Sequence, residues 1–204
     1  MEGGHIIITS PHAKCDLTAK KRGCDFAAAL SGKSICAAMD KCKLQYTYLP
    51  GDEYRKDHDL NRKPSRTTKY RSNLELIMKD VSGSPCLLLD VHSFPDYYMD
   101  EAGDINFFAK DEVAPDVVFL QGPNNLYNGR LLADSLSTAV SKAKLKTKII
   151  KGITVNDIMN HANEHSIPSV LIEFNEKYNN DPGKLDKLCM LIAKTICALS
   201  LHPG

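Results

Sequence analysis

The chain has 204 residues, of which 25% are charged and 43% apolar, and a formal net charge of +1. That length suffices for a single domain spanning residues 1–204 with a buried core, and the balanced charge gives no support for a nucleic-acid or membrane-surface partner. Its apolar runs are far shorter than a membrane span requires. Residues 1–4 lead directly into such a run, leaving no room for a signal peptide, so the chain is expected to be cytoplasmic and its seven cysteines free thiols. Cys86, Cys189 and Cys197 sit in apolar runs and are expected in the core.

Short β-branched runs predict strands at 5–10, 44–49, 85–91, 116–120, 147–151 and 169–174. Between them, apolar residues at helical spacing predict helices at 25–41, 70–80, 128–143, 155–164 and 182–201. Asp181 with Pro182 supplies a start signal for the last helix, and Asn156-Asp157 one for the helix before it. This alternation predicts an α/β fold in three layers, a mixed but mostly parallel sheet with helices on both faces. Two longer connections, 51–69 and 92–114, interrupt the rhythm, and long loops at strand ends are where α/β domains build ligand sites.

Four segments end an apolar run on chemistry-bearing side chains: Ser10-Pro11-His12, Asp59-Leu60-Asn61-Arg62, Leu89-Asp90-Val91-His92-Ser93 and Ile172-Glu173-Phe174. A catalytic zinc site needs about three protein ligands and an open position, and the ligands need only converge in space. His12 and His92 each follow a strand and are candidates for two of them. Asp25, at the head of the first predicted helix, is the third, with Asp16 and Cys15 as alternatives. Asp90 lies two residues before His92 and therefore on the same strand face, which suits a carboxylate that orients the histidine from behind. Glu173 interrupts an apolar strand; partial burial there raises a carboxyl pKa and makes it a fitting general base. Arg62 and Asn61 have the chemistry to hold a substrate carboxylate, or Arg62 to polarise a carbonyl, and Arg55, Arg66 and Arg71 nearby dilute that signal.

These residues together resemble the N-formylglutamate amidohydrolase family, relatives of the zinc carboxypeptidases. Ser10-Pro11-His12 resembles its first metal histidine, Asp25-Phe26-Ala27-Ala28-Ala29-Leu30 its acidic residue opening a helix, and Asp59-Leu60-Asn61-Arg62 the shared Asp-x-Asn-Arg motif. Leu89-Asp90-Val91-His92-Ser93 is similar to the segment with the last ligand, and Ile172-Glu173-Phe174 to that with the catalytic glutamate. The resemblance implies a phosphorylase/hydrolase-like fold and one zinc ion on His12, Asp25 and His92. It implies that Glu173 activates water, that Asn61 and Arg62 bind substrate or polarise its carbonyl, and that Asp59 orients a metal histidine. The implied reaction is cleavage of the amide bond of an N-acyl amino acid or peptide-like substrate that carries a carboxylate. In two places the chain departs from its relatives: Cys15 stands where the carboxypeptidases place a glutamate, and Ala13-Lys14 follows His12.

Rival expectations are a zinc carboxypeptidase, an N-acetylmuramoyl-L-alanine amidase, or a metal-binding interaction module without turnover. Ser31-Gly32-Lys33-Ser34 lacks the first glycine of a phosphate loop, and the lysines at 142, 144, 146, 148 and 151 read as a solvated helix end. His161 and His165 share a helix face but lack the His-Glu-x-x-His pattern, and are expected at the surface.

Overall fold

The computed structural model describes residues 4–14, 25, 27–55, 57–81, 83–99, 106–122 and 127–200. Its elements run β1 (His5–Ser10), α1 (Ala28–Lys41), β2 (Gln45–Pro50), α2 (Lys69–Asp80), β3 (Cys86–Phe94), β4 (Val117–Gln121), α3 (Tyr127–Lys142), β5 (Thr147–Lys151), α4 (Asp157–Glu164), β6 (Ser169–Asn175) and α5 (Pro182–Ser200). The strands form one six-stranded sheet in the order β2-β1-β3-β6-β4-β5. All neighbouring pairs are parallel except β4 with β6, which is antiparallel.

Alternation along each strand divides two apolar layers, because successive side chains point to opposite faces. Ile6, Ile8, Leu87, Leu89, Val91, Val170, Ile172 and Phe174 pack with α1, α3 and α5. Ile7 and Leu88 face α2 and α4 instead, where Tyr70, Leu74, Met78, Ile158 and Ala162 cover them. Strands apolar on both faces read as unbroken hydrophobic runs, as expected for a central parallel sheet. Among the described residues no helix is long and apolar enough to cross a membrane.

Most boundaries shift by a residue or so, and four departures bear on the site. The helix expected from residue 25 begins at Ala28, leaving Asp25 in the approach to it, and α4 begins after Asn156 rather than at Val155. Strand β3 continues through His92 to Phe94, where an irregular connection is expected, because β6 alongside it pairs as far as Asn175. The connection 51–69 contains a short 3-10 helix, Lys63–Thr67. Of the three cysteines expected in the core, Cys189 is fully buried while Cys86 and Cys197 are partly exposed; Cys15 and Cys24 lie outside the described residues.

The end of β1 is fixed by a close approach of two backbones. Gly51 donates its N–H to the Ser10 carbonyl at 2.8 Å, and a Cβ added at Gly51 would stand 2.0 Å from the Pro11 oxygen. That contact is with main chain, which cannot swing aside. Gly51→Ala is therefore expected to destabilise the protein by about 1–3 kcal/mol through overpacking and to displace the Pro11-His12 turn. Urea unfolding of the variant checks this, and an unchanged midpoint would contradict it.

Candidate metal centre

β1, β3 and β6 are parallel, so their carboxyl ends lie along one edge of the sheet, the usual place for an α/β ligand site. Register aligns Thr9 with Asp90 and His92 with Glu173, on a single face. His12 follows β1 in a turn closed by the Ala13 N–H on the Ser10 carbonyl at 3.1 Å. Asp25 approaches α1, and the next described residue, Ala27, donates its N–H to Ser93 Oγ at 3.0 Å, tying that approach to the end of β3. Ser93 therefore faces away from His92, on the opposite side of the strand.

Both histidines point a ring nitrogen at the same carboxylate oxygen. His12 Nδ1 lies 3.0 Å and His92 Nδ1 2.6 Å from Asp25 Oδ2, with the rings edge to face and their centroids 4.9 Å apart. Each ring is held from behind by a second carboxylate. His12 Nε2 meets Asp59 Oδ1 at 2.8 Å, and His92 Nε2 meets Asp90 Oδ2 at 3.0 Å. Asp90 also accepts from Thr9 Oγ1 at 2.7 Å and from Asn156 Nδ2 at 2.7 Å. His12, Asp25, Asp90 and His92 are all buried.

Burial alone would raise the Asp25 and Asp90 carboxyls, but the facing histidines outweigh it and hold both below the usual carboxylate range. Burial alone would likewise lower His92, and the carboxylates of Asp90 and Asp25 instead raise it well above its ordinary value. Two imidazoles and a carboxylate bring donor atoms within 4.8 Å of one another. A divalent cation among them would replace the protons that now link the rings to Asp25. The set suits zinc: two nitrogens and one oxygen as ligands, with each histidine's far nitrogen fixed by a carboxylate.

Glu173 stands beside His92 on the next strand. It is partly buried, and its Oε2 has no hydrogen-bond partner among the described residues. Burial pushes its carboxyl up to about 8; His92 pulls it back in part, and the charges of Asp25 and Asp90 add to the rise.

The Asp59–Arg62 segment forms one wall. Asn61 is buried, with its Nδ2 3.2 Å from His92 Nε2 and its backbone N–H donating to Asp59 Oδ1 at 3.1 Å. Arg62 lies at the surface, donating from Nη1 to the Val155 carbonyl at 2.6 Å, with Nε 3.5 Å from Asp59 Oδ2. Three contributors were not singled out from sequence. Arg55 reaches further in than Arg62, with Nη1 3.3 Å from Asp25 Oδ1 and Nε 3.5 Å from Asp59 Oδ2. Thr9 and Asn156 complete the donor set around Asp90. Asn156 alone had a visible signal, its place at a helix start. There its Oδ1 accepts from the Met159 N–H at 2.8 Å, while the opposite end of the amide serves Asp90. The alternative ligands Cys15 and Asp16 lie outside the described residues. His161, expected at the surface, is buried against Glu75 and Arg71, because α4 turns that face toward α2.

No protein-family model matches the sequence, and no curated protein is similar to it. Solved structures share its fold at low identity. N-formylglutamate amidohydrolase from Ralstonia eutropha JMP134 superposes with a TM-score of 0.62 at 12% identity, over 95% of this chain and 93% of that one. N-acetylmuramoyl-L-alanine amidase from Clostridium difficile 630 gives 0.55 at 15% identity, over 97% and 94%. A metallo-carboxypeptidase from Burkholderia cenocepacia gives 0.54 at 13% identity, over 98% of this chain and 58% of that one. The chain thus shares the mostly parallel, three-layer α/β fold of these structures.

The charge pattern dictates how the metal-free protein responds to pH. Asp25 and Asp90, lowered from 3.8, add stability that is present above that pH and lost as it falls. His92, raised from 6.5, adds stability that is present below that value and lost as pH climbs through its folded pKa. Glu173, raised from 4.5 to about 8, favours the folded state most below 4.5 and progressively less up to its folded value. The melting temperature of chelator-treated protein is expected to fall between about pH 6 and pH 8.5, less steeply in Glu173→Gln. A flat profile in the wild type would contradict these assignments.

Proposed function

We propose that this chain is a zinc-dependent amidohydrolase that cleaves the amide bond of an N-acyl amino acid, such as an N-formyl one, or of a peptide-like substrate bearing a carboxylate. One observation carries the proposal: two buried histidines, each backed by a carboxylate, share Asp25 beside Glu173, whose Oε2 has no hydrogen-bond partner among the described residues. His12, Asp25 and His92 would hold the ion. When bound, zinc supplies Lewis acidity at the scissile carbonyl and lowers the pKa of water.

The chain's own residues divide the rest of the work. Asp59 and Asp90 fix the His12 and His92 rings, each holding its Nε2 so that Nδ1 turns inward. Glu173 takes the proton of the attacking water at Oε2 and returns it to the departing amine. A nearby cation stabilises the charged carboxylate, so an occupied centre makes Glu173 the stronger base at neutral pH. Arg55 and Arg62 give the mouth of the site two guanidinium groups against Asp25 and Asp59, and a carboxylate on the substrate would compete for them. Asn61, between these groups and His92, would orient the acyl end.

The amidase and carboxypeptidase neighbours share this fold, so the amine side of the scissile bond is the point to test. Glu173→Gln is expected to retain its zinc while kcat/KM on an N-acyl amino acid falls by about 10²–10⁴-fold. Arg62→Ala is expected to raise KM more than it lowers kcat. Hydrolysis of N-formyl amino acids in preference to muramoyl peptides and C-terminal peptide bonds supports the amidohydrolase assignment. Full zinc occupancy with no hydrolysis of any of the three would identify a binding module instead.

A further inference from the structure

A second cluster, between α2 and α4, repeats the arrangement of the metal centre. His161 Nε2 lies 2.5 Å and His165 Nε2 3.0 Å from one oxygen, Oε2 of Glu75. His161 lies on α4 and His165 caps its carboxyl end four residues later, with ring centroids 5.2 Å apart, and Glu75 comes from α2. As with His12, Asp25 and His92, three ligand atoms lie within 4.8 Å of one another. The cluster borders an open hollow of about 420 Å³ lined by Arg66, Arg71, Ser72, Glu75, Leu76 and His161, which gives an ion a way in.

We propose that Glu75, His161 and His165 form a second site for a divalent transition-metal ion, which staples α2 to α4. Two imidazoles and a carboxylate suit zinc, cobalt or nickel; calcium and magnesium call for oxygen ligands. The remaining contacts accommodate an ion. Lys79 Nζ holds the other Glu75 oxygen at 2.9 Å and leaves Oε2 to the site. Arg71 Nη2 lies 3.1 Å from His161 Nδ1, donating to it when the ring proton is on Nε2. Ligation through Nε2 moves that proton to Nδ1, so Arg71 Nη2 must draw back from the ring while the Asp157 carboxylate at 2.9 Å and the Leu60 carbonyl at 3.1 Å keep hold of the guanidinium. The positive charges of Lys79 and Arg71 oppose an ion here, as Arg55 does beside Asp25 at the first centre.

The position of the cluster gives occupancy a consequence. Both helices brace the Asp59–Arg62 segment: Arg71 of α2 donates to the Leu60 carbonyl, and the Asp157 N–H of α4 donates to the Asn61 carbonyl at 3.1 Å. An ion joining the helices would hold that wall in place from behind.

Equilibrium dialysis of the full chain against zinc, followed by elemental analysis, tests the site. Wild type is expected to bind one ion more per chain than His165→Gln or Glu75→Gln. Matching melting curves in chelator would show that both variants fold. His92→Ala, which disables the first centre, is expected to keep the ion that His165→Gln loses. A wild type with one ion and a His165→Gln variant with none would uphold this site while removing the first. Equal zinc in wild type and both variants would overturn it.

Discussion

A carboxylate buried in the middle of a sheet must have its charge answered, and Asp90 is wholly enclosed. Three elements supply the answer: Thr9 from β1, His92 from its own strand and Asn156 from the start of α4. Those bonds fix the relative placement of β1, β3 and α4, and they settle which nitrogen His92 presents to the site. The same device recurs at His12, where Asp59 brings in the Asp-x-Asn-Arg segment. The polar groups that would otherwise penalise burial are thus the ones that aim the candidate ligands.

Glu173 gains its chemistry by contrast with Asp90. The two carboxyls occupy adjacent strands on one face, and burial acts on both in the same direction. Asp90 is surrounded by donors and stays ionised. Glu173 Oε2 has none among the described residues, and burial pushes its carboxyl up to about 8. Environments that push two neighbouring acids apart assign one to hold and the other to exchange protons. The proposed amide hydrolysis would use that division, with a fixed scaffold around an ion and one group to carry a proton from water to amine.

Much of this was legible from sequence because strands buried on both faces announce themselves as apolar runs. The end of β1 follows from where such a run stops, whereas His92 lies beside Glu173 only because β3 pairs with β6 as far as Phe94. Asp90's place against His92 was readable from a two-residue spacing on a strand. What escaped lay in long-range pairing. Arg55 could not be ranked above Arg62 among the arginines around it, since their distances to Asp25 depend on the path of an irregular connection. Thr9 resembled any β-branched strand residue until β3 was set beside β1. His161 looked like a surface residue because helical spacing reveals a shared face but not what the face packs on; here Glu75 of α2 and the buried Arg71–Asp157 pair cover it.

The central claim is that His12 and His92 are held by their Nε2 atoms so that both Nδ1 atoms and Asp25 receive one ion. A crystal soaked in zinc and measured across the zinc absorption edge tests it directly. The account predicts an anomalous peak bounded by His12 Nδ1, His92 Nδ1 and the Asp25 carboxylate, with Asp59 and Asp90 still on the Nε2 atoms and Glu173 facing the peak. No peak at that position after zinc is supplied, or an ion bound through either Nε2, would contradict it.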